Sequence, residues 1–549
     1  MENLTIRVNN QLLNCKKGET LFSTLKEKGL LDPESIVVLR NGKYSSYQVI
    51  PEDNDEFTIV TEYNSIARRV YENTAAIILY HVAKKLFPER ELIIAHSMSN
   101  GLFCKFNVNS LDLQQDISSL EKAFLQAAKS NLPIKPRTLS RDSAVKYFTS
   151  KGRRDTANLL KYLNNNYVEL YEIEGSLYWA QTPLAPSTGY LTLFELKPYK
   201  NGFILRYPIE GNRKRIPAFS PQDKLFEIFS EFETWGEILN LAEVSQINHA
   251  IKSGEIDEII KLSEALHERK IVFIAEEINR IDGKRKVVFI SGPSSSGKTT
   301  FMKRLYIQLK VLGHRIITIS LDDYYKDREE LYREQGPDPD FERLEALDTS
   351  LLQTQIKDLI AQKPVRLPKF DFKAGKKIFS NEVVADNNCV ILIEGIHALN
   401  PRITRLVENN PIYKIYISAL THLNFDNANR IPTHDLRLLR RIVRDRKFRS
   451  HNAEETINNW KKVVNGENKY IFPFQEEADI MFNSSLVFEF GVLKKYAVKY
   501  LGEVPESSPA FPDAARLKEF LKYFLTIPDR PVPSNSILRE FIGGSSFKY

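Results

Sequence analysis

Cysteine is scarce in this chain of 549 residues, which has only three, Cys15, Cys104 and Cys389. Their wide separation excludes a disulfide framework and a Cys-x-x-Cys metal site, and it is typical of a reducing compartment. Long apolar runs are also missing, because the longest candidate, residues 75–83, falls well short of the ~20 residues that a membrane span needs. The first residues lack the basic and apolar regions of a secretory signal. We therefore expect a cytoplasmic protein without membrane contact.

A large excess of charge of one sign is absent as well. The formal net charge of +7 permits binding of nucleotides or RNA but does not require it. No internal repeat or low-complexity tract is visible in the sequence. With 42% hydrophobic and 27% charged residues, the chain has the composition of an ordinary globular protein. Its length predicts about three to four domains.

The octapeptide Gly292-Pro-Ser-Ser-Ser-Gly-Lys-Thr299 fits the phosphate-loop pattern G-x4-G-K-[ST] at every fixed position. The apolar run 286–291 before it predicts a buried strand, and residues 300–310 after it predict a helix. In such a loop Lys298 reaches the β- and γ-phosphates, and the Thr299 hydroxyl binds Mg²⁺. We therefore expect ATP and Mg²⁺ as cofactors, with ATP bound by Gly292, Pro293, Ser294, Ser295, Ser296, Gly297, Lys298, Thr299 and Thr300.

The next predicted strand, residues 315–320, ends in Leu321-Asp-Asp-Tyr-Tyr325. Carboxylates at the C-terminal end of a strand beside a phosphate loop lie where open α/β sheets bind ligands. Such a carboxylate accepts the proton of an attacking hydroxyl or helps to hold Mg²⁺. We assign the role of base to Asp322, with Asp323 as the other candidate. An Asx turn that merely closes the strand is the structural alternative.

This pattern resembles that of uridine kinases and, more distantly, of phosphoribulokinases, and the resemblance continues through residues 286–503. It covers Phe341–Asp348, Pro368–Phe372 and the apolar strand 390–394 with the two residues after it. It implies an acid that holds the ribose hydroxyls, an aromatic ring in the base pocket, and a carboxylate that acts on Mg²⁺. By this resemblance the acceptor is bound by Asp322, Tyr325, Glu342, Phe370 and Arg441, and the metal by Thr299 and Glu394.

Four arginines, at positions 437, 440, 441 and 444, share one face of a predicted helix. Such a stripe repels itself unless a polyanion or carboxylates lie against it, and in phosphoryl transfer arginines stabilise charge on the migrating group. The resemblance places Arg441, Arg444 and Arg449 in a mobile lid over the triphosphate and the acceptor. Arg444 and Arg449 would then contact ATP, and Arg444 would be catalytic together with Asp322 and Lys298. A solvated basic helix is the alternative.

Three departures from the family pattern concern the base more than the phosphates. A histidine that contacts the pyrimidine in eukaryotic uridine kinases falls on Gly375, and a lid arginine falls on His451. Phe370 lacks the hydroxyl of the family tyrosine. The resemblance therefore supports nucleoside kinase chemistry more strongly than it supports uridine as the substrate.

The N-terminal part resembles a different family. A hairpin, a short helix and two further strands within about 60 residues favour a β-grasp module, and they resemble the TGS domain of threonyl-tRNA synthetases. Residues 64–215 resemble the second domain of that synthetase, in which editing uses a metal site. Its ligand positions fall here on Glu72, Ala76, Ala180 and Leu184. Because a zinc site needs imidazole or thiolate donors, we interpret the fold as kept and the hydrolytic site as lost.

We therefore predict a multidomain protein with a parallel α/β kinase sheet. The predicted order is a TGS-like β-grasp domain (1–62), an α+β synthetase-like domain (63–220), a helical connector (221–280), the phosphate-loop kinase domain (281–503) and a C-terminal extension (504–549). The expected activity is ATP-dependent phosphorylation of a nucleoside, with uridine favoured. The alternatives are an RNA- or tRNA-binding regulator with a nucleotide switch, and a kinase of another small hydroxylated metabolite. We also expect a homo-oligomer, with possible RNA or tRNA contact through residues 1–220.

Overall fold

The computed structural model of the chain describes residues 3–108, 110–283, 285–336, 340–371, 374–407 and 410–548. Phe372, the last residue of one motif noted above, lies outside them. None of the described helices combines the length and the apolar character that crossing a membrane requires.

Residues 3–59 form a five-stranded sheet in the order β2-β1-β5-β3-β4, with β1 and β5 parallel. The Asn41-Gly42 turn joins β3 and β4, and both of its residues have positive φ, as a tight hairpin requires. The predicted hairpin, helix and later strands are confirmed, whereas the identity of the domain stays a prediction. The elements are β1 (Asn3–Val8), β2 (Gln11–Lys16), α1 (Leu21–Glu27), β3 (Val38–Arg40), β4 (Lys43–Ser45) and β5 (Glu56–Ile59).

Two antiparallel sheets and four helices follow, with strand orders β10-β9-β8 and β11-β12-β7-β6. The long α2 is buried along most of its length, since 14 of its residues are buried. The elements are α2 (Ser65–Leu86), β6 (Leu92–Met98), β7 (Gly101–Phe106), α3 (Leu113–Lys129), β8 (Lys135–Ser140), α4 (Arg141–Ser150), α5 (Arg154–Lys161), β9 (Tyr167–Ile173), β10 (Ser176–Tyr178), β11 (Glu195–Tyr199) and β12 (Gly202–Arg206).

The predicted run of helices between residues 223 and 280 is confirmed. Its elements are α6 (Asp223–Leu239), α7 (Val244–Ser253) and α8 (Ile256–Arg280). Asn240 and Gly254 adopt the left-handed conformation that ends α6 and α7. Arg304 lies on the helix that follows the phosphate loop, and its buried guanidinium binds Glu264 and Glu268 of α8. These ion pairs fix α8 directly to that helix.

A five-stranded parallel sheet in the order β14-β17-β13-β18-β21 forms the centre of the C-terminal half. Its strands read as continuous apolar runs because helices cover both faces. The elements are β13 (Arg285–Ser291), α9 (Lys298–Val311), β14 (Arg315–Ser320), α10 (Arg328–Gln335), α11 (Thr349–Ile360), β15 (Val365–Asp371), β16 (Lys376–Val383), β17 (Cys389–Glu394), α12 (Pro401–Thr404) and β18 (Ile412–Ser418).

The remaining elements complete the sheet and cover its edge. They are β19 (Asn424–Asp426), β20 (Asn429–Arg430), α13 (Thr433–Phe448), α14 (Ala453–Tyr470), β21 (Ile480–Asn483), α15 (Glu489–Leu501), α16 (Phe511–Leu521) and α17 (Arg539–Ile542). The residues in and just before α17 are packed against the rest of the protein, because Ile537, Leu538 and Phe541 are each 0% exposed. The four boundaries between the five predicted domains remain our proposal.

Buried ion pairs join the N-terminal half to the C-terminal half. Asp426, which is 0% exposed, accepts hydrogen bonds from Thr156 and Arg153. Arg430 pairs with Glu72 of α2. A buried pair is costly to break, since the partner that remains is an uncompensated charge. Residues 65–206 are therefore bound to the kinase half by specific charges as well as by apolar packing.

The positions that correspond to the synthetase metal ligands lie near one another. In this region Asn73 donates to Thr182, and the Ala185 N–H donates to Thr74. Ala76 and Leu184 are buried, and Glu72 is engaged by Tyr207 as well as by Arg430. The only carboxylate among the four positions is therefore already paired. The editing ancestry of this domain stays a prediction.

Asp435, in the first turn of α13, is bound by two guanidinium groups, those of Arg69 on α2 and Arg516 on α16. Its side chain is 2% exposed, and although burial acts to raise the pKa of this carboxyl, the two arginines hold it well below its ordinary value.

We expect Asp435→Asn to lower the free energy of unfolding by about 3–5 kcal/mol, because it leaves two buried guanidinium groups without a counter-charge. Chemical denaturation of the full-length protein measures this. The control is Asp142→Asn, whose pair with Arg141 is at the surface and should be worth about 0–1 kcal/mol. Equal effects of the two substitutions would contradict the role assigned to Asp435.

Candidate active site

The phosphate loop joins β13, the central strand of the sheet, to the N-terminus of α9. Its two glycines are required by geometry. A Cβ on Gly292 would lie 2.0 Å from the carbonyl oxygen of Ile417, and Gly297 has a φ of +84°. The loop therefore approaches β18 more closely than any residue with a side chain would allow.

Three neighbouring parallel strands, β14, β17 and β13, bring the predicted groups to one edge of the sheet. Ser320 and Glu394 end β14 and β17 in register, and the Ser320 hydroxyl donates to Glu394 over 3.0 Å. The phosphate loop begins at the same edge, after Ser291. The carboxyl ends of parallel strands thus place Glu394 between the loop and the turn that carries Asp322.

The two consecutive aspartates after β14 have different surroundings. Asp323 accepts a hydrogen bond from the Phe370 N–H over 3.1 Å and pairs with Lys369, so it holds the end of β15. The carboxylate of Asp322 is instead subject to the charges of Lys298, Arg449 and Arg444. The contacts therefore favour Asp322 over Asp323 as the proton acceptor.

Two carboxyls at this edge have raised pKa values. Burial raises the pKa of Glu394 to about 7, and the charge of Asp322 acts in the same direction. Desolvation by the surrounding protein also raises the pKa of Asp322, whereas Lys298 and Arg449 oppose that rise. Two carboxylates that repel each other beside a phosphate loop form a setting that a cation would relieve.

The donors at this edge of the sheet are hydroxyl and carboxylate oxygens, which are the ligands that Mg²⁺ prefers. Among the described residues no group of three or more His, Cys, Asp or Glu side chains could hold a metal ion by itself. Mg²⁺ in nucleotide sites takes only one or two protein ligands and completes its shell with water and phosphate oxygens. Thr299 and Glu394 would suffice for that role.

Aromatic side chains form one wall of the cleft beside Asp322. Tyr325 makes edge-on contacts with Phe341 and Phe370, with ring centroids 5.8 and 6.0 Å apart. Its hydroxyl donates to the backbone carbonyl of Phe341. Rings in this arrangement offer apolar surface of the kind on which a flat heterocycle stacks.

Glu342 follows this wall and packs against α14. A Cβ on Gly466 would lie 2.7 Å from the Cβ of Glu342, so glycine is required there. Burial raises the pKa of Glu342 to about 7, and the charge of Glu467 adds to the rise while Arg441 opposes it. The predicted acceptor residues Asp322, Tyr325, Glu342, Phe370 and Arg441 therefore lie near one another.

The arginines of α13 divide into two groups that their shared helix face does not distinguish. Arg437 and Arg440 have side chains only 1% and 0% exposed, and they are paired with Glu467 and Glu489. Arg437 also donates to the Ser294 carbonyl. Arg440 likewise donates to the Ser295 carbonyl, so these two arginines support the outside of the phosphate loop.

Arg441, Arg444 and Arg449 belong to the cleft. Arg441 donates to the Ser294 hydroxyl over 2.8 Å, and all three arginines lie near the buried Asp445, which partly neutralises them. His451, which takes the place of a lid arginine, pairs with Glu455 at the surface instead.

Sequence reasoning missed the carboxylates that balance these cations. Asp445 could have been found, because it lies four residues after Arg441 on the same helix. Glu467 and Glu489 come from other elements, and no local pattern connects them with the phosphate loop. The same holds for Glu540, which binds Thr300.

Known proteins match the part of the chain that contains the phosphate loop and the arginines of α13. The model of the Phosphoribulokinase / Uridine kinase family matches residues 287–487. The uridine kinase of Staphylococcus epidermidis is 33% identical over 202 residues, which are 36% of this chain and 86% of that protein. The uridine kinase of Bacillus subtilis is also 33% identical over 202 residues, with shares of 36% and 86%.

Solved structures cover a similar share of the chain. A structure described as a possible uridine kinase from Bacillus stearothermophilus has a TM-score of 0.29 at 21% identity and covers 39% of this chain and 98% of that one. D-glycerate 3-kinase from Cryptococcus neoformans has a TM-score of 0.26 at 13% identity and covers 42% and 92%. At such scores neither structure bears on the assignment.

We expect Glu342→Gln to stabilise the protein more at pH 8 than at pH 5. The folded-state pKa of about 7 exceeds the ordinary value of 4.5, so the folded protein holds this proton more tightly. The wild-type protein therefore loses stability as the pH rises from about 4.5 to 7, by about 1–2 kcal/mol, and glutamine removes that loss. Melting temperatures at both pH values measure the effect.

Glu345→Gln is the matched control, because a hydrogen bond from Arg402 lowers the pKa of that carboxyl. It should give no stabilisation at pH 8. A gain for Glu342→Gln that is independent of pH would contradict the electrostatic explanation.

Proposed function

Because the chain belongs to the phosphoribulokinase/uridine kinase family, we propose that it transfers the γ-phosphate of ATP to the 5′-hydroxyl of a nucleoside, with uridine as the acceptor. Family membership makes the chain a phosphotransferase with an alcohol acceptor. The observation that supports a nucleoside as the acceptor is the position of Asp322. Its charge acts on Lys298 and the lid arginines on one side, and on Tyr325 and Glu342 on the other.

The proposed reaction is a direct in-line displacement. The 5′-oxygen of the nucleoside forms a bond to the γ-phosphorus while the bond from that phosphorus to the bridging oxygen of ADP breaks. Asp322 accepts the proton of the attacking hydroxyl. Its raised pKa strengthens it as a base, because a carboxyl with an ordinary pKa is almost fully ionised and binds a proton weakly at neutral pH.

Cations would stabilise the charge that spreads over the migrating group. Lys298 at the start of α9 and Arg444 on α13 approach Asp322 from two elements, and Arg449 approaches from the end of α13. Mg²⁺ held by Thr299 and Glu394 would supply further neutralisation of phosphate charge.

The acceptor would lie between the aromatic wall and Glu342. An ionised Glu342 accepts hydrogen bonds from two ribose hydroxyls, and Phe370 with Tyr325 offers apolar faces to the base. Gly375 has a φ of +68° and lies against Arg328, so this position brings no side chain to the base. Discrimination among bases therefore rests on pocket shape more than on side-chain hydrogen bonds at this position.

The direct test incubates the purified full-length protein with Mg-ATP and a panel of nucleosides, sugar phosphates and polyols. We expect a nucleoside 5′-monophosphate as product, with uridine giving the highest kcat/KM. Lys298→Ala is the control and should reduce turnover at least about 10³-fold, since it removes a charge at the β- and γ-phosphates. Phosphorylation of a sugar phosphate or polyol with no turnover of any nucleoside would refute the proposal.

A second prediction separates proton transfer from binding. Asp322→Asn should lower kcat by roughly 10²–10⁴-fold with little change in the affinity for the nucleoside, because the amide keeps the shape but accepts no proton. Asp323→Asn is the matched comparison. It should leave kcat nearly unchanged, because Asp323 pairs with Lys369 and the amide oxygen of asparagine still accepts from the Phe370 N–H. The reverse pattern in the two variants would make Asp323 the better candidate for the base.

A further inference from the structure

The C-terminal segment, residues 536–542, contacts the nucleotide site although it lies beyond the residues that match the family, 287–487. Ser536, Ile537, Leu538 and Phe541 are all 0% exposed, and Phe541 packs over the guanidinium of Arg440. The Lys447 ammonium donates to the Ile542 carbonyl. This segment is therefore a built part of the kinase half, held against the helix that carries the lid arginines.

The C-terminal segment reaches the phosphate loop at two points. A Cβ on Gly297 would lie only 2.5 Å from Cγ2 of Ile537, so the loop glycine and the segment are in close contact. The Glu540 carboxylate accepts hydrogen bonds from the Thr300 hydroxyl over 2.6 Å and from the Thr300 N–H over 3.2 Å. That N–H belongs to the first turn of α9, which the phosphates of a bound nucleotide also approach.

The opposite end of the loop is engaged in a similar way. The Ser294 N–H donates to Glu467 over 2.9 Å, and the Lys298 ammonium donates to the carbonyls of Gly292 and Pro293. Glu467 is balanced by its pair with Arg437. Glu540 instead acts on another carboxylate. Burial, the charge of Asp322 and the charge of Glu540 together raise the pKa of Glu394.

Glu540 is thus a negative charge at a position where a second negative charge, a phosphate, would bind. We propose that Glu540 is an internal competitor of the nucleotide, whose carboxylate has to leave Thr300 before the phosphate loop binds the triphosphate. This inference rests on the proposed function only in taking the loop as the ATP site. Only molecules in which the carboxylate has left Thr300 bind the triphosphate. The apparent affinity for ATP is therefore the intrinsic affinity multiplied by the fraction of such molecules.

The test is Glu540→Gln in the full-length protein. Glutamine has nearly the same shape and its amide oxygen still accepts from Thr300, but it brings no charge against a phosphate. Isothermal titration with a non-hydrolysable ATP analogue and Mg²⁺ at constant ionic strength should show about tenfold tighter binding than the wild-type protein. The matched control is Glu506→Gln, an exposed glutamate of the same C-terminal region, which should bind as the wild-type protein does.

Unchanged or weaker nucleotide binding by Glu540→Gln would overturn the proposal, because it would make Glu540 a neutral or helpful group. Melting temperatures establish that the variants are folded. If the glutamine variant does not fold, Glu540→Asp serves instead, since its shorter side chain withdraws the charge from Thr300, and binding no tighter than wild type would overturn the proposal. The titration needs no acceptor, so a failure to phosphorylate nucleosides leaves its outcome interpretable.

Discussion

Asp435 accepts hydrogen bonds from Arg69 and Arg516, two guanidinium groups that come from opposite ends of the chain. It stands in the first turn of α13, so this one carboxylate fixes the start of the helix whose arginines support the phosphate loop and line the cleft. The ion pairs are almost fully buried, and their energy depends on all three partners being present. The kinase site is therefore assembled from both ends of the sequence.

This dependence explains why the family-matching region is not the whole of the site. Residues 287–487 contain the phosphate loop, the aromatic wall proposed to bind the acceptor, and the arginines proposed to form a lid. Residues outside it bind polar groups within it: Arg69 and Arg516 bind Asp435, Glu489 binds Arg440, and Glu540 binds Thr300. A charged site in a protein interior needs such compensation, since unpaired charges there are costly. The flanking segments supply part of it.

The site is also a balance of like charges. Burial and the charges of Asp322 and Glu540 raise the pKa of Glu394, while Lys298 opposes the rise. Lys298, Arg449 and Arg444 likewise oppose the raised pKa of Asp322. Structural ion pairs deeper in the protein, such as that between Arg440 and Glu489, keep the backbone of the loop in place. The charged groups of the site can respond to a polyanion and a cation. The buried ion pairs only keep the backbone in place.

Much of the fold followed from short-range patterns. The phosphate loop, the strands and helix on either side of it, the helices between residues 223 and 280, and the hairpin at Asn41-Gly42 were predictable, because each depends on periodicity or on a residue that tolerates positive φ. The placement of Asp322 and Glu394 on one edge also followed, since parallel strands share their carboxyl ends.

Only the tertiary structure decided what the charged residues do. The sequence put Arg437, Arg440, Arg441 and Arg444 on one helix face, but the fold buries the first two against Glu467 and Glu489 and leaves the others to the cleft. It also separated Asp322 from Asp323 and brought Glu540 to Thr300, 240 residues away in sequence. Local spacing determines which groups share an element, whereas the partners of a charge are set by chain segments that meet only after folding.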